Sequence, residues 1–203
     1  ISVSGTYRLA TNLVVTTVVN GIEVRANEVT IEMGGHTLAG SGAGRNGITT
    51  FNRALRVEHG TVRGFTNDAI RSVAQFLTVS DMIITANGRV GVFAESIGNG
   101  ESGYFTKVTD SNISSNLYGI WCGAYCHVEG NIVSKNDNMG VYIAGVGDAV
   151  LGNTISANNG DGIYFPAKGG AGNNTIVSNG GSAISGLYIP MQPNACSPAC
   201  PPP

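Results

Sequence analysis

Charge is the scarcest ingredient of this chain. Lys, Arg, Asp and Glu together make up 12 % of its 203 residues, about half the share usual in globular domains. The formal net charge is only −2, which leaves no electrostatic basis for binding nucleic acid or an anionic membrane. Long apolar runs are missing too. No stretch reaches the roughly 18 residues that a membrane-crossing helix requires, yet 42 % of the residues are hydrophobic, enough for a core. Helical periodicity is absent from the first 20 residues, ISVSGTYRLATNLVVTTVVN, which alternate apolar and polar in strand fashion. Thirty glycines and a crowd of Asn, Ser and Thr stand where charge is missing. That mixture suits frequent tight turns and stacked uncharged side chains.

Cysteine is sparse but patterned. The four residues form two pairs of identical spacing, Cys122/Cys126 and Cys196/Cys200. An even count in a low-charge chain fits an oxidising setting, and a secreted, extracellular protein is expected. The first residue is Ile rather than Met, so a processed or trimmed chain is expected.

What the sequence has is a repeat. From Gly119 onward it reads GIWCGAYCHVEGNIVSKNDNM, GVYIAGVGDAVLGNTISANNGD and GIYFPAKGGAGNNTIVSNGG. Each segment opens with Gly and an aliphatic residue, adds two further apolar beats and closes on an asparagine. The opening beat falls at positions 22, 48, 70, 92, 120, 141, 163 and 184. The second and third beats lie five residues apart in Val57/Val62, Val79/Ile84, Val108/Ile113, Val128/Val133 and Val150/Ile155. A short period with three strand-like beats and no helical run between them marks a solenoid. The expected fold is all-β: a parallel β-helix of about 7–8 coils of 21–28 residues, three short strands per coil, coils roughly 4.8 Å apart. Gly before each opening beat would permit a positive φ or a tight bend. Asn87, Asn116, Asn136, Asn158 and Asn179 recur at one corner, where an amide tolerates the left-handed region and bonds to its neighbour one coil along. A single domain over residues 1–189 is expected, then a Pro- and Cys-rich tail, 190–203, that cannot pair as a central strand.

The opening GTYRLATNL, the segment NEVTIEMGGHTLAG and the NxI/SxN coils resemble the first turns and repeats of the right-handed parallel β-helix superfamily, the pectate-lyase-like solenoids, over about residues 5–185. The resemblance implies the right-handed fold. It does not imply one function, because lyases, hydrolases, epimerases, adhesins and structural fibres share these coils. Lyases of this fold usually set a Lys or Arg base beside several calcium-binding acids. Here Arg63, Arg71, Arg89, Lys107, Lys135 and Lys168 are scattered, and the polygalacturonase-type Asp pair with Gly-His-Gly is missing. His36 in GGHT matches a first-coil residue of the family that is more often structural.

One column merits attention as chemistry. His59, Asp81 and Asp110 stand two residues after the second beat of successive coils, about 5 Å apart if stacked. They are the catalytic candidates if the chain is an enzyme, and Asp81 with Asp110 is a weak calcium candidate. The plainer reading is a corner ladder in which Asp stands for Asn, since Asn131 and Asn153 sit one residue further on in the next coils. WCGAYCH has three residues between its cysteines where covalent haem wants two, and zinc would need a ligand from elsewhere. Two local disulfides, Cys122–Cys126 and Cys196–Cys200, are therefore expected, with intermolecular pairing open for the tail. Asn112 and Asn173 begin glycosylation sequons, Asn173 being preferred for its Gly-rich setting. No cofactor and no resident metal are expected.

Two functions follow. The first is a non-catalytic structural β-helix that self-associates end to end, because a solenoid end exposes strand edges and core, and this chain offers no capping helix. The second is a carbohydrate-active enzyme or glycan-binding module, using Tyr104, Phe105, Trp121 and Tyr125 beside the long fourth coil, Gly98–Phe105, to stack on a polysaccharide. No face carries a regular Thr ladder in the sequence, which sets an ice-binding surface behind both.

Overall fold

The computed structural model describes residues 1–95, 105–197 and 199–200. The described residues contain no helix, and their strand pairings are all parallel. The chain is a parallel β-helix of about eight turns. Strands are short because each coil must turn three times in 21–28 residues, and the Gly- and Asn-rich corners interrupt every apolar beat.

Three sheets run along the helix. The first carries the opening beats: β3 (Ile22–Val24), β6 (Ile48–Thr50), β8 (Ile70–Ser72), β10 (Val90–Ala94), β13 (Tyr118–Cys122), β16 (Val141–Ile143) and the starts of β19 (Ile163–Gly172) and β21 (Ile184–Pro190). The second runs from β1 (Gly5–Arg8) and β4 (Val29–Glu32) through the first halves of β7 (Leu55–Arg63) and β9 (Leu77–Thr85). It continues with β11 (Thr106–Thr109), β14 (Cys126–Glu129), β17 (Asp148–Leu151) and the second half of β19. The third joins β2 (Leu13–Val15) and β5 (Thr37–Gly40) to the second halves of β7 and β9. It ends with β12 (Asn112–Ser114), β15 (Ile132–Ser134), β18 (Thr154–Ser156), β20 (Thr175–Val177) and β22 (Ala195–Ser197).

The register is the one that the apolar beats dictate. Ile120 pairs with Val141 and Val141 with Ile163, all fully buried. Because side chains alternate across a strand, placing these residues inside forces Trp121, Tyr142 and Tyr164 outside. Stacking like on like leaves the core as three aliphatic columns, a continuous apolar interior in which each coil covers the next.

Two corner expectations are corrected. The ladder asparagines are not themselves left-handed. The residue before each one is: Ala86, Ser115, Lys135, Ala157 and Ser178 have φ between 54° and 56°. That residue turns the chain, and the asparagine that follows faces inward. There its Nδ2 donates to Oδ1 of the next, from Asn87 to Asn116, Asn136, Asn158 and Asn179 in turn, at 2.8–3.3 Å. Each Oδ1 also accepts a backbone N–H from the coil before, as Asn136 Oδ1 does from Asn116. The glycines before the opening beats are needed for room rather than for φ. A Cβ on Gly119 would lie 2.5 Å from the Gly140 carbonyl oxygen and 2.6 Å from Val133 Cγ1.

The tail takes an edge position rather than a central one. β22 pairs in parallel with β20, so the chain beyond residue 189 adds an edge strand to the third sheet. Pro193 is accommodated because it only accepts, its carbonyl taking the Asn173 N–H.

Candidate functional site

The corner between the second and third sheets holds the column of catalytic candidates. His59, Asp81 and Asp110 all sit there in the left-handed region, φ 59°, 53° and 52°. Gly130, Gly152 and Asn173 continue the same column. These acids therefore do not stand in for ladder asparagines. One residue further in, a second buried ladder runs from Ser111 through Asn131, Asn153 and Asn174 to Asn194, with Oδ1 of each asparagine accepting the backbone N–H of the residue before it. The sequence signal was present, an Asn three residues after the second beat, but it was read as part of the outer column.

Stacking joins His59 to its neighbours on both sides. Its Nδ1 lies 2.9 Å from Glu32 Oε2, and its Nε2 lies 3.6 Å from Asp81 Oδ2. Hydrogen bonding to Glu32 raises the His59 pKa above its usual range, with smaller help from the charge of Glu32, Asp81 and Glu58. The same bond, with the Gly34 N–H, holds the Glu32 carboxyl below its ordinary value. Glu58 approaches from the strand that carries His59 and is paired with Arg56 at 2.5 Å. One ligand atom each from Glu32, Glu58 and His59 fall within 4.8 Å of one another. The expected pair Asp81 and Asp110 is not drawn into this group, and no hydrogen bond or ion pair joins them among the described residues. Both are exposed corner residues, set in line on adjacent coils. Further along the second sheet, His127 Nε2 pairs with Glu129 Oε2 at 2.8 Å, which lowers the Glu129 pKa.

The aromatic side chains divide into two groups. On the outer face of the first sheet, Phe93, Trp121, Tyr142 and Tyr164 stack coil upon coil, with centroid separations of 6.1, 4.2 and 5.5 Å. Arg71 and Arg89 lie over Phe93 and share the fully buried carboxylate of Asp68, while Tyr118 meets Trp121 edge-on. At the next corner Phe105 stacks between Phe76 and Tyr125. Phe105 and Tyr125 thus belong to a different stack from Trp121, and Tyr104 lies outside the described residues, as does most of the long fourth coil. Phe76 and Phe105 lie nearly parallel, and the other neighbouring rings meet at a tilt.

Cys122 and Cys126 are bonded to each other, as are Cys196 and Cys200, and no described cysteine is free. The first bridge is buried and ties the first sheet to the second across Gly123–Tyr125. Asn112 is exposed on β12, and Asn173 is exposed at a left-handed corner. Sequence reasoning missed Glu32 and Glu58, which matter only because residues 26–27 positions apart are stacked. It also missed Asp68 and Asp148. Asp148 is the ionisable residue in a column that also holds Val29, Leu55, Leu77, Thr106, Cys126 and Gly169, and that charge was its signal.

The family model described as "Periplasmic copper-binding protein (NosD)" matches residues 12–188. The chain belongs to the NosD family. No curated protein matches it. Among solved structures, the Dettilon tailspike protein (gp208) is similar over 81 % of this chain and 43 % of its own, at 11 % identity and a TM-score of 0.46. This chain thus spans less than half the tailspike. For a NosD chain the metal in the family description can be tested against the donors present. Glu32, Glu58 and His59 supply carboxylate oxygen and imidazole nitrogen, a set that suits copper(II). The described cysteines are in disulfides, so the soft donors preferred by copper(I) are not what this group offers.

Proposed function

We propose that this chain is a non-catalytic, extracytoplasmic β-helix that binds a divalent cation, copper(II) foremost, through Glu32, Glu58 and His59. The observation that carries the reading is the meeting of these three donors within 4.8 Å on adjacent coils. The family description, with its periplasmic location and its copper, supports it, as do two disulfides of the kind kept in oxidising compartments. Copper(II) heads the order of affinity for nitrogen and oxygen donors. The exposure of His59 and Asp81, each side chain 53 % accessible, supports a non-catalytic role, since neither is shielded from water. Titration of copper(II) followed by calorimetry and electron paramagnetic resonance is expected to show one equivalent with nitrogen and oxygen ligation. His59→Ala is expected to lose it, and His127→Ala to keep it. Equal binding by His59→Ala and the parent chain would overturn the assignment.

Self-association through the end coils is a second reading, favoured by exposed apolar residues on both. Val14 and Val18 are exposed at one end, and Leu187, Ile189 and Met191 at the other. A second copy, or further coils of a longer chain, would cover these edges. Sedimentation velocity across a hundredfold range of concentration decides it: a sedimentation coefficient that does not rise sinks this reading. A polysaccharide partner held by ring stacking on the first sheet has less support, because Phe93 and Trp121 already pack against neighbouring rings and Arg71 lies over Phe93.

A further inference from the structure

Asp148 opens β17 with its side chain turned into the core. Only 5 % of the residue is accessible. Oδ1 accepts the Cys126 N–H at 2.7 Å, and Oδ2 is buried with no hydrogen-bond partner. Above it on the stack is Cys126, tied to Cys122; below it is Gly169. Tyr188 on β21 shares the inward column one coil beyond Gly169, and the other ionisable groups on the elements packed around Asp148 sit on the outward side. They are His127 and Glu129 on β14, Tyr118 on β13, Tyr142 on β16, Tyr164 and Lys168 on β19, and Tyr125 at the corner. None of them offsets a charge on Asp148. The contrast with the corner asparagines is direct, since each of those has a stacked amide to bond. A carboxylate with one acceptor oxygen unmet is stable in such a place only as the neutral acid. Burial pushes the Asp148 pKa up to about 6, against the opposing pull of the Cys126 N–H.

We propose that Asp148 is a proton-controlled latch on the corner between β16 and β17. Neutral, with its proton on Oδ2, it lets the corner pack dry against the Cys122–Cys126 bridge. Ionised, it draws water into the corner and loosens the coil from Ala144 to Leu151. The direction follows from linkage. The closed state holds its proton to a higher pH than the open, solvated state, whose carboxyl titrates near 3.9. Closure is therefore fully favoured in acid and weakens as pH rises to about 6. One proton makes the opening equilibrium climb about tenfold per pH unit through that window and level off near pH 7. Glu23, Glu32 and Glu129, whose pKa values are lowered by their partners, push global stability the other way over part of this range. A local measurement is therefore required.

Hydrogen exchange of the Cys126 amide and of the amides of residues 148–151, corrected for intrinsic rates, supplies it. The amides of Val133 and Ile155, in the third sheet, serve as internal controls. In the intact protein, protection at Cys126 is expected to fall about twentyfold between pH 4.5 and 7, while the controls hold. Asp148→Asn keeps the acceptor for the Cys126 N–H and cannot ionise, so its protection is expected to be flat over the range. A flat profile in the parent chain would overturn the proposal without any variant. So would an Asp148→Asn variant, or Asp148→Ser if the amide does not fold, that keeps the parent's pH dependence.

Discussion

At the residue scale, the two kinds of corner polar group differ in what stacking does for them. Asn136 sits fully buried, and its Nδ2 and Oδ1 are both used by the coils on either side. Asn136→Ala leaves groups on Asn116 and Asn158 without their partner, and each buried unsatisfied group costs about 1–3 kcal/mol. Chemical denaturation is expected to show a loss in that range, larger than for Asn112→Ala on the exposed face of β12. His59 is exposed and Glu32 half-buried, so their pairing is an electrostatic marker more than a source of stability. The His59 pKa is raised by Glu32, so the pair's favourable contribution is present below the ordinary histidine pKa and is lost as pH rises through the raised value. On the acid side it is lost as Glu32 protonates, below the usual carboxylate range. An NMR titration is expected to place the His59 midpoint above that of a free histidine, and Glu32→Gln is expected to bring it down. An unchanged midpoint in Glu32→Gln would show that the hydrogen bond does not form in solution.

At the scale of single elements, the strands are too short to be stable alone, and their identity comes from columns. Ile163 is fully buried between Val141 and Ile184, and Ile163→Ala is expected to cost about 2–5 kcal/mol. At Gly119 the element has no room to give. A methyl group there meets a backbone oxygen and Val133, so Gly119→Ala is expected to destabilise by about 1–3 kcal/mol. Equal thermal stability of Gly119→Ala and the parent would mean that the coils can spread at this corner. The outward aromatic column argues in the same way. Trp121 lies between Phe93 and Tyr142 with Tyr118 against its edge. Its placement binds three successive coils together, a structural use that explains the stack without a ligand.

At the scale of the whole molecule, contacts run from each coil to the next, and nearest-neighbour interfaces then dominate stability. Damage at one coil is expected to spread to its neighbours before it reaches the ends. Hydrogen exchange on the Ile163→Ala protein is expected to show the largest loss of protection in residues 141–143 and 184–186, with residues 48–50 least affected. A uniform loss along the chain would indicate a single cooperative unit instead.

The sequence by itself determined the β-helix, its three beats and the register of the core. Each of these rests on local periodicity: an aliphatic residue repeated every 21–28 positions has one way to be buried against its copies. The ladder asparagines were legible for the same reason. The surrounding details were not. The left-handed residue before each asparagine and the crowding at Gly119 depend on how the backbone closes each corner, which composition does not specify. The meeting of Glu32, Glu58 and His59 was also invisible, because it depends on the rotation of side chains on two adjacent coils. Only the folded stack separates Asp81, an exposed corner acid, from Asp148, an acid sealed in the core. Both are aspartates near a second beat, and what distinguishes their chemistry is the side of the sheet to which each one points.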